Sequence, residues 1–256
     1  MVESFAQAFS LEGELALITG GGTGLGFAMA KCFVQAGARV VITGRREDVL
    51  IEAVRELGPK AAYRVFDVTD SENAVPFVEA LAKELGPVSI LVNNAGRHCK
   101  KPVLDVTQED LQGVLDVHLM GAFALTKAVI PGMLERGRGN ILFISSMSAY
   151  LGMTQVTAYS AAKSAVMGLV KTLSGDLADK GIRINAIAPG FIDTPMFRKA
   201  VETDIPRQQK IIGHTPMGCY GDPMDIGWAA VYLVSPAARF VTGVCLPVDG
   251  GCSIGF

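Results

Sequence analysis

A doubly wound α/β fold, with seven parallel strands and helices on both faces, is what this sequence predicts, and three observations carry the expectation. Short β-branched apolar runs alternate with longer amphipathic segments, which specifies a parallel sheet covered by helices. The runs are continuously apolar, as they must be in strands that have no solvent-facing side. The first run passes directly into a glycine-rich turn that opens a helix, "TGGGTGLG". At 256 residues the chain fits one domain spanning 1–256, with no linker, repeat or second domain required.

Taken in order, the expected strands are "LALIT", "RVVITG", "AYRVFDV", "SILVNN", "NILFIS", "IRINAIAP" and "VCLPVDG". Helical periodicity runs from Gly24 to Ala36 and from Ser71 to Leu85, with stop signals at Gly37 and at Gly86-Pro87. Pro76 lies inside the second of these, so that helix starts late or kinks. The last strand falls at a sheet edge and is followed by an apolar tail; pairing it with another subunit would protect it.

Composition excludes several function classes. A net charge of -2 with no long basic run gives no electrostatic footprint for nucleic acid. Half the residues are hydrophobic, yet Gly, Pro, Asp or Arg interrupts the apolar stretches, so no bilayer span is expected. The amino terminus has no basic segment followed by an apolar one and reads as a cytoplasmic start. Five cysteines without a C-x-x-C pair read as reduced thiols, not as a disulfide frame or a metal site.

The glycine turn makes Gly20, Thr23, Gly24, Leu25 and Gly26 candidates for holding a dinucleotide, because glycines let the backbone approach a pyrophosphate at a helix N-terminus. This is the sequence mark of a Rossmann-type sheet. At the end of strand two, Gly44 stands where an acid would meet the ribose hydroxyls, and Arg45 and Arg46 follow. Without that carboxylate, and with guanidinium groups able to grip a 2′-phosphate, NADP is preferred, with NAD possible. The plainer reading is that both arginines solvate a helix start. After strand three, Asp67 and Val68 are placed to meet adenine, although Asp67 could equally cap the next helix.

Tyr159 and Lys163 are four residues apart on one helical face, with their base positions about 5–6 Å apart. Bringing a phenol from about 10 to near neutrality takes about 4 kcal/mol, which one cation at about 4 Å supplies at an effective dielectric of about 20. Alone, such a pair is as well explained by a lysine snorkelling past an aromatic ring.

The ordered set Thr19-Gly20-x-x-x-Gly24-x-Gly26, "NNAG" at Asn93 to Gly96, Ser146, Tyr159, Lys163 and Pro189-Gly190 resembles the short-chain dehydrogenase/reductase family over residues 12 to 252. Within it the chain is similar to the single-domain branch of 3-oxoacyl-carrier reductases and sugar-acid or polyol dehydrogenases. The resemblance implies an oxidoreductase that moves a hydride between nicotinamide and a carbonyl or secondary alcohol. Tyr159 would then be proton donor and acceptor, Lys163 would lower its pKa and bind the nicotinamide ribose, and Ser146, thirteen positions before Tyr159, would hold the substrate oxygen. Ser145 and Ser148 offer competing hydroxyls. Asn93, Ala95 and Gly96 would pass close to the cofactor, as would Pro189, Gly190, Ile192 and Thr194. One position departs from the pattern: where the family commonly carries an asparagine that holds a water linking the lysine to solvent, "HLMGAF" places His118. A histidine there would either preserve that relay and add a group titrating near pH 6.5, or be a satisfied helix residue.

The substrate is read from weaker signals. Arg97, His98, Lys100 and Lys101 follow "NNAG" and favour an anionic small molecule, or else form a solvated loop. A substrate-covering insertion is expected at about 191–216, with Phe191, Met196 and Phe197 as apolar walls, and Gln155 could meet a hydroxylated substrate. A homotetramer is expected. The competing classes are a nucleotide-sensing regulator without activity, and enoyl reduction or sugar epimerisation on a related scaffold.

Overall fold

The computed structural model describes residues 4–255; Met1 to Glu3, which carry part of the reading of the amino terminus, lie outside the described residues. A short helix α1 (Phe5–Phe9), capped by Ser4, precedes β1 (Leu15–Thr19), α2 (Gly24–Gln35), β2 (Arg39–Gly44), α3 (Glu47–Leu57) and β3 (Ala61–Val65). Next come α4 (Ala74–Leu85), β4 (Ile90–Asn93), α5 (Gln108–Leu115), α6 (Ala122–Arg136), β5 (Gly139–Ile144) and α7 (Thr157–Leu177). The chain closes with β6 (Ile182–Pro189), α8 (Pro195–Val201), α9 (Ile205–His214), α10 (Pro223–Val234) and β7 (Cys245–Val248). The seven strands form one parallel sheet in the order β3-β2-β1-β4-β5-β6-β7. The order reverses direction between β1 and β4, where open α/β sheets form their ligand crevice at the carboxyl ends.

Alternation within the strands explains why they read as unbroken apolar runs. Ala16 and Ile18 of β1 enter one core with Met29 and Phe33 of α2, Leu50 of α3 and Ala230 of α10. Their neighbours Leu15 and Leu17 enter the opposite core with Leu81 of α4, Leu125 of α6 and Val166 of α7. The inner strands β1, β2, β4, β5 and β6 are therefore buried on both faces, while the edge strands β3 and β7 are only partly covered.

Some boundaries differ from the sequence expectation. Ser71–Asn73 form a single 3-10 turn before α4 begins at Ala74, so Pro76 sits in the first turn, where a missing N–H leaves no bond unmade. β3 ends at Val65, short of the expected "FDV", because Asp67 turns the chain: its Oδ1 accepts from Thr69 N at 3.0 Å and from Thr69 Oγ1 at 2.9 Å. α5 and α6 run together through a π-helical segment, Asp116–Gly121, and the resulting helix is long and apolar enough by length and composition to cross a membrane. That corrects the expectation that no stretch reaches such a length. Its apolar face packs into the second core through Ala122, Leu125, Val129 and Met133.

β7 is an edge strand, and its exposed Pro247 suits an edge because it has no N–H to leave unpaired. At the other face of the fold α2 and α10 pack closely. A Cβ on Gly227 would overlap Cys32 Sγ and lie 3.0 Å from Ala28 O. Gly227→Val is therefore expected to lower stability by about 1–3 kcal/mol in urea unfolding, the usual cost of overpacking, through helix separation.

Candidate active site

The carboxyl ends of β1, β4, β5 and β6 bring the candidate residues together. Gly20 (φ 63°) and Gly24 (φ 56°) adopt the left-handed conformation that the turn after β1 needs. A Cβ on Gly26 would overlap Gly20 O and lie 2.5 Å from Asn94 Nδ2. Thr23 occupies the cap position of α2, yet its side chain makes no capping hydrogen bond, so the first-turn amides around Leu25 are available to an anion. Thr194, which caps α8 by accepting from Phe197 N at 3.2 Å, also sits over this turn: its Cγ2 lies 3.9 Å from where a Gly24 Cβ would be.

One residue that sequence reasoning passed over fixes this turn. Asn94 Nδ2 donates to Thr19 O (2.9 Å) and Gly20 O (3.2 Å), and Thr19 Oγ1 accepts from the amides of Asn94 and Ala95, both at 2.9 Å. The second asparagine of "NNAG" thus ties the end of β4 to the glycine turn, and an amide able to donate to that turn's carbonyls was the available signal. Asn93 points the other way, with Nδ2 donating to Thr126 Oγ1 on α6 at 3.1 Å.

Arg45 and Arg46 are exposed beyond β2. Arg45 Nη1 lies 3.9 Å from Asp67 Oδ2, and Asp67 serves its own turn, while Val68 O abuts Gly121 in the π-helical segment. Pro189 ends β6, and Gly190 packs against Asp249 so closely that a Cβ would lie 2.6 Å from its Cα. Ile192 is buried and bridges to Gly221.

The three serines after β5 are sorted by their partners. Ser145 Oγ donates to Lys163 O at 3.1 Å, joining β5 to α7. Ser148 N donates to Ser146 Oγ at 3.1 Å. Of the three, Ser146 is the one whose side chain draws the Tyr159 phenol's proton affinity down, against burial, which raises it. Lys163 is only 4% exposed; its Nζ donates to Ile144 O at 2.6 Å and stands 5.4 Å from the Tyr159 ring centroid.

Burial dominates the charges here. It pushes the Tyr159 phenol above its usual value, with the Ser146 hydrogen bond opposing. Burial also pushes Lys163 down to about 7. The expectation that Lys163 alone draws Tyr159 toward neutrality is corrected in the protein by itself: the ammonium is aimed at a backbone carbonyl and the phenol is desolvated.

His118 lies in the π-helical segment, a distortion often found at functional sites. Its ring stands edge-on to Tyr159 at 5.3 Å between centroids. Nε2 is 2.8 Å from Arg97 O and 3.1 Å from Arg97 N: when protonated it donates to the carbonyl, and when unprotonated it accepts from the amide, so either tautomer is held by the Arg97 backbone. Gly96 permits this approach, since a Cβ there would lie 2.9 Å from His118 Cε1. Burial, then the charge of Lys163, pushes His118 from 6.5 down to about 3. It does not titrate near pH 6.5 as the sequence suggested. A cavity of about 10 Å³, about the space one water needs, is lined by Thr19, Asn93, His118 and Lys163. Asn93 Oδ1 is buried without a hydrogen-bond partner among the described residues.

Because His118 holds fewer protons folded than unfolded between about 3 and 6.5, its contribution to stability is fully present above 6.5 and is lost as pH falls toward 3. His118→Asn is expected to flatten the fall in unfolding free energy between pH 6.5 and 4 in urea titrations; an unchanged slope would show that the imidazole is protonated without penalty.

The turn, the free amides of α2 and the exposed arginines fit a dinucleotide. Comparison with known proteins agrees. A family model described as Enoyl-(Acyl carrier protein) reductase matches residues 20–253. The chain is 35% identical to the 3-oxoacyl-[acyl-carrier-protein] reductase of Thermotoga maritima, over 95% of this chain and 99% of the relative. A gluconate 5-dehydrogenase from Burkholderia cenocepacia, solved with NADP and tartrate, superposes with a TM-score of 0.94 at 34% identity, covering 99% of this chain and 100% of that one. A 3-ketoacyl-(acyl-carrier-protein) reductase from Brucella melitensis, solved with NADH, gives a TM-score of 0.88 at 36% identity over 96% and 100% of the two chains. The chain belongs to the short-chain dehydrogenase/reductase family of oxidoreductases.

Proposed function

We propose that the chain catalyses reversible hydride transfer between NADP(H) and the carbonyl or secondary alcohol of a small molecule, with Tyr159 as proton donor and acceptor. The observation that carries this reading is the convergence of Ser146, Tyr159 and Lys163 at the end of β5. A regulator without activity would not need that convergence. Bound nicotinamide supplies the hydride chemistry. The chain's own residues do the rest. Gly20 to Gly26 and Thr194 would hold the phosphates, Asn94 keeps the turn in place, and Lys163 would meet the nicotinamide ribose. Ser146 hydrogen-bonds the substrate oxygen in both oxidation states. In reduction, the Tyr159 hydroxyl gives its proton to that oxygen as the C–H bond forms; in oxidation the phenolate takes it back.

Lys163 stabilises the phenolate once substrate and cofactor complete the site. His118, neutral at pH 7, keeps the relay beyond Lys163 as a hydrogen-bonding group and carries no charge itself. NADP is favoured over NAD by Arg45 and Arg46 beside Gly44, with NAD as the second cofactor. The chain acts as one catalytic domain in the cytoplasm, with residues 191–216 covering the substrate, as a homotetramer built partly on the β7 edge. Sedimentation showing single chains only would reject the tetramer.

Reduction of a carbonyl is favoured over reduction of an enoyl group by the four-residue Tyr159–Lys163 spacing, and acetoacetyl and crotonyl thioesters tested side by side separate the two. In a screen of keto acids, keto sugars and thioesters with NADPH and NADH, Tyr159→Phe is expected to lose at least about a hundredfold in turnover, the lower range of acid–base catalysis, while still binding NADPH. Retained turnover would sink the assignment. His118→Ala is expected to lower turnover with little change in NADPH affinity, and Arg45→Ala with Arg46→Ala to erase the preference for NADPH.

A further inference from the structure

Residues 97–101 leave β4 without secondary structure, and among the described residues no backbone–backbone hydrogen bond holds 98 to 100. The segment is nevertheless tied down at three points. At its start the Arg97 backbone is held by His118 Nε2. In its middle Cys99 packs against a small apolar cluster made by Val114 on α5 with Ala158 and Ala162 on α7. At its end Lys101 Nζ lies 2.6 Å from Asp110 Oδ2 on α5, and the Lys101 amide donates to Gln155 O at 2.9 Å. Lys101 is thus committed within the protein and is not a cation free to meet a ligand, as the sequence allowed.

Asp110 is the fixed partner. It stands in the first turn of α5, where its carboxylate also accepts from the Thr107 amide at 3.1 Å and closes the capping box. Lys101 first, then the Thr107 amide, hold its carboxyl below the usual value. Its side chain is 15% exposed against 44% for Lys101, so the lysine reaches in to an anchored carboxylate. A partly exposed ion pair adds little to the stability of a whole domain. What this one can govern is the short segment that ends on it.

Two parts of the site depend on that segment. Gln155, four residues before Tyr159, has a φ of 66° that no other non-glycine residue among those described shares. Backbone in such a conformation persists where its surroundings hold it, and the Lys101 amide holds the Gln155 carbonyl. His98 lies between the anchors, with its ring edge-on to Tyr159 at 5.2 Å and 72°. Lys163 and His118 are buried, whereas His98 is exposed, so the loop walls the open side of Tyr159 from which a substrate reaches the phenol.

We propose that Lys101 and Asp110 are positioning residues for the reaction: the pair fixes the β4 loop against α5 and, through Gln155 O, against the start of α7, so that His98 keeps its place beside Tyr159 and the substrate meets a preformed wall. The proposal rests on the oxidoreductase reading for the identity of the reaction. Neither residue touches the reacting atoms. A loosened loop must be ordered again when substrate binds, while Ser146, Tyr159 and Lys163 stay where they are, so the loss falls on KM and not on kcat.

The test is Asp110→Asn, whose amide oxygen still accepts from the Thr107 amide but offers no charge to Lys101. In the wild type, burial is the first cause that keeps His98 below its usual value, ahead of the charges of Arg207 and Lys100. Removing a carboxylate lowers a histidine further by charge alone, whereas exposing the ring raises it. In carbon-13 NMR titrations of labelled histidine, assigned with His98→Gln, the Asp110→Asn protein is expected to titrate at His98 closer to 6.5 than the wild type does. With whichever of the screened keto acids, keto sugars or acetoacetyl thioester the wild type reduces fastest, KM is expected to rise about two- to fivefold, the range of one partly exposed ion pair. NADPH affinity, kcat and the urea unfolding midpoint are expected to be retained. Lys101→Arg, which keeps the charge, is expected to match the wild type in both measurements. A His98 titration that does not rise in Asp110→Asn overturns the proposal, as does a loss carried by kcat alone or a Lys101→Arg protein as impaired as Asp110→Asn. The titration needs no turnover, so a wild type that reduces no carbonyl would sink the oxidoreductase reading separately, and His98 would still decide whether the pair holds the loop.

Discussion

Lys163 carries a charge into a place that is nearly dry, and the site is built around that burden. Its ammonium is held by one carbonyl, Ile144 O, at the end of β5. Ser145 holds the backbone of the same residue from the same strand end. Strand β5 and helix α7 are thereby locked in one relative position, and the locking places Tyr159 over the sheet's carboxyl edge beside Ser146. Desolvation of a cation is costly unless it is compensated. Here it lowers the lysine toward neutrality and raises the phenol, so the two groups stand further apart in proton affinity than free lysine and tyrosine do, and in the free protein the lysine gives up its proton before the phenol does.

The rest of the crevice follows from the ends of parallel strands lying side by side. β1 ends in a turn that only glycine can make at Gly20 and Gly24, and β4 ends in an asparagine that grips that turn. Between α5 and α6, the π-helical segment places His118 against the backbone of Arg97. His118 thus joins two parts of the site. On one side it borders the lysine cavity, and on the other it fixes the loop that carries His98.

The sequence showed the strands clearly because burial on both faces leaves an unbroken apolar run, and showed Tyr159 and Lys163 because helical spacing is local. The glycine turn was readable for the same reason. What escaped is whatever depends on distant neighbours. Nothing near Asn94 says that its amide reaches back to Thr19 and Gly20. Among the serines at 145, 146 and 148 the spacing to Tyr159 singled out Ser146, but only the structure shows that Ser145 is engaged with Lys163 O and that the Ser148 amide donates to Ser146. Asp67 was readable as either a turn-former or an adenine contact, and the turn role is what its hydrogen bonds show. The direction of the Tyr159 shift was misread because helical spacing reports the nearby cation but not the loss of water around the phenol. His118 misled for the same reason, since its fall to about 3 comes first from burial.

The central claim is that dryness, more than the pairing of Tyr159 with Lys163, sets the proton affinities of both groups in the free protein. Carbon-13 NMR titration of ζ-labelled tyrosine and ε-labelled lysine, assigned with Tyr159→Phe and Lys163→Met, measures both directly. The expected result is a Lys163 signal that titrates near 7 and a Tyr159 signal that remains that of the phenol beyond its ordinary value of 10. A phenolate at Tyr159 at neutral pH, beside a Lys163 that titrates at its ordinary value of 10.5, would contradict the account.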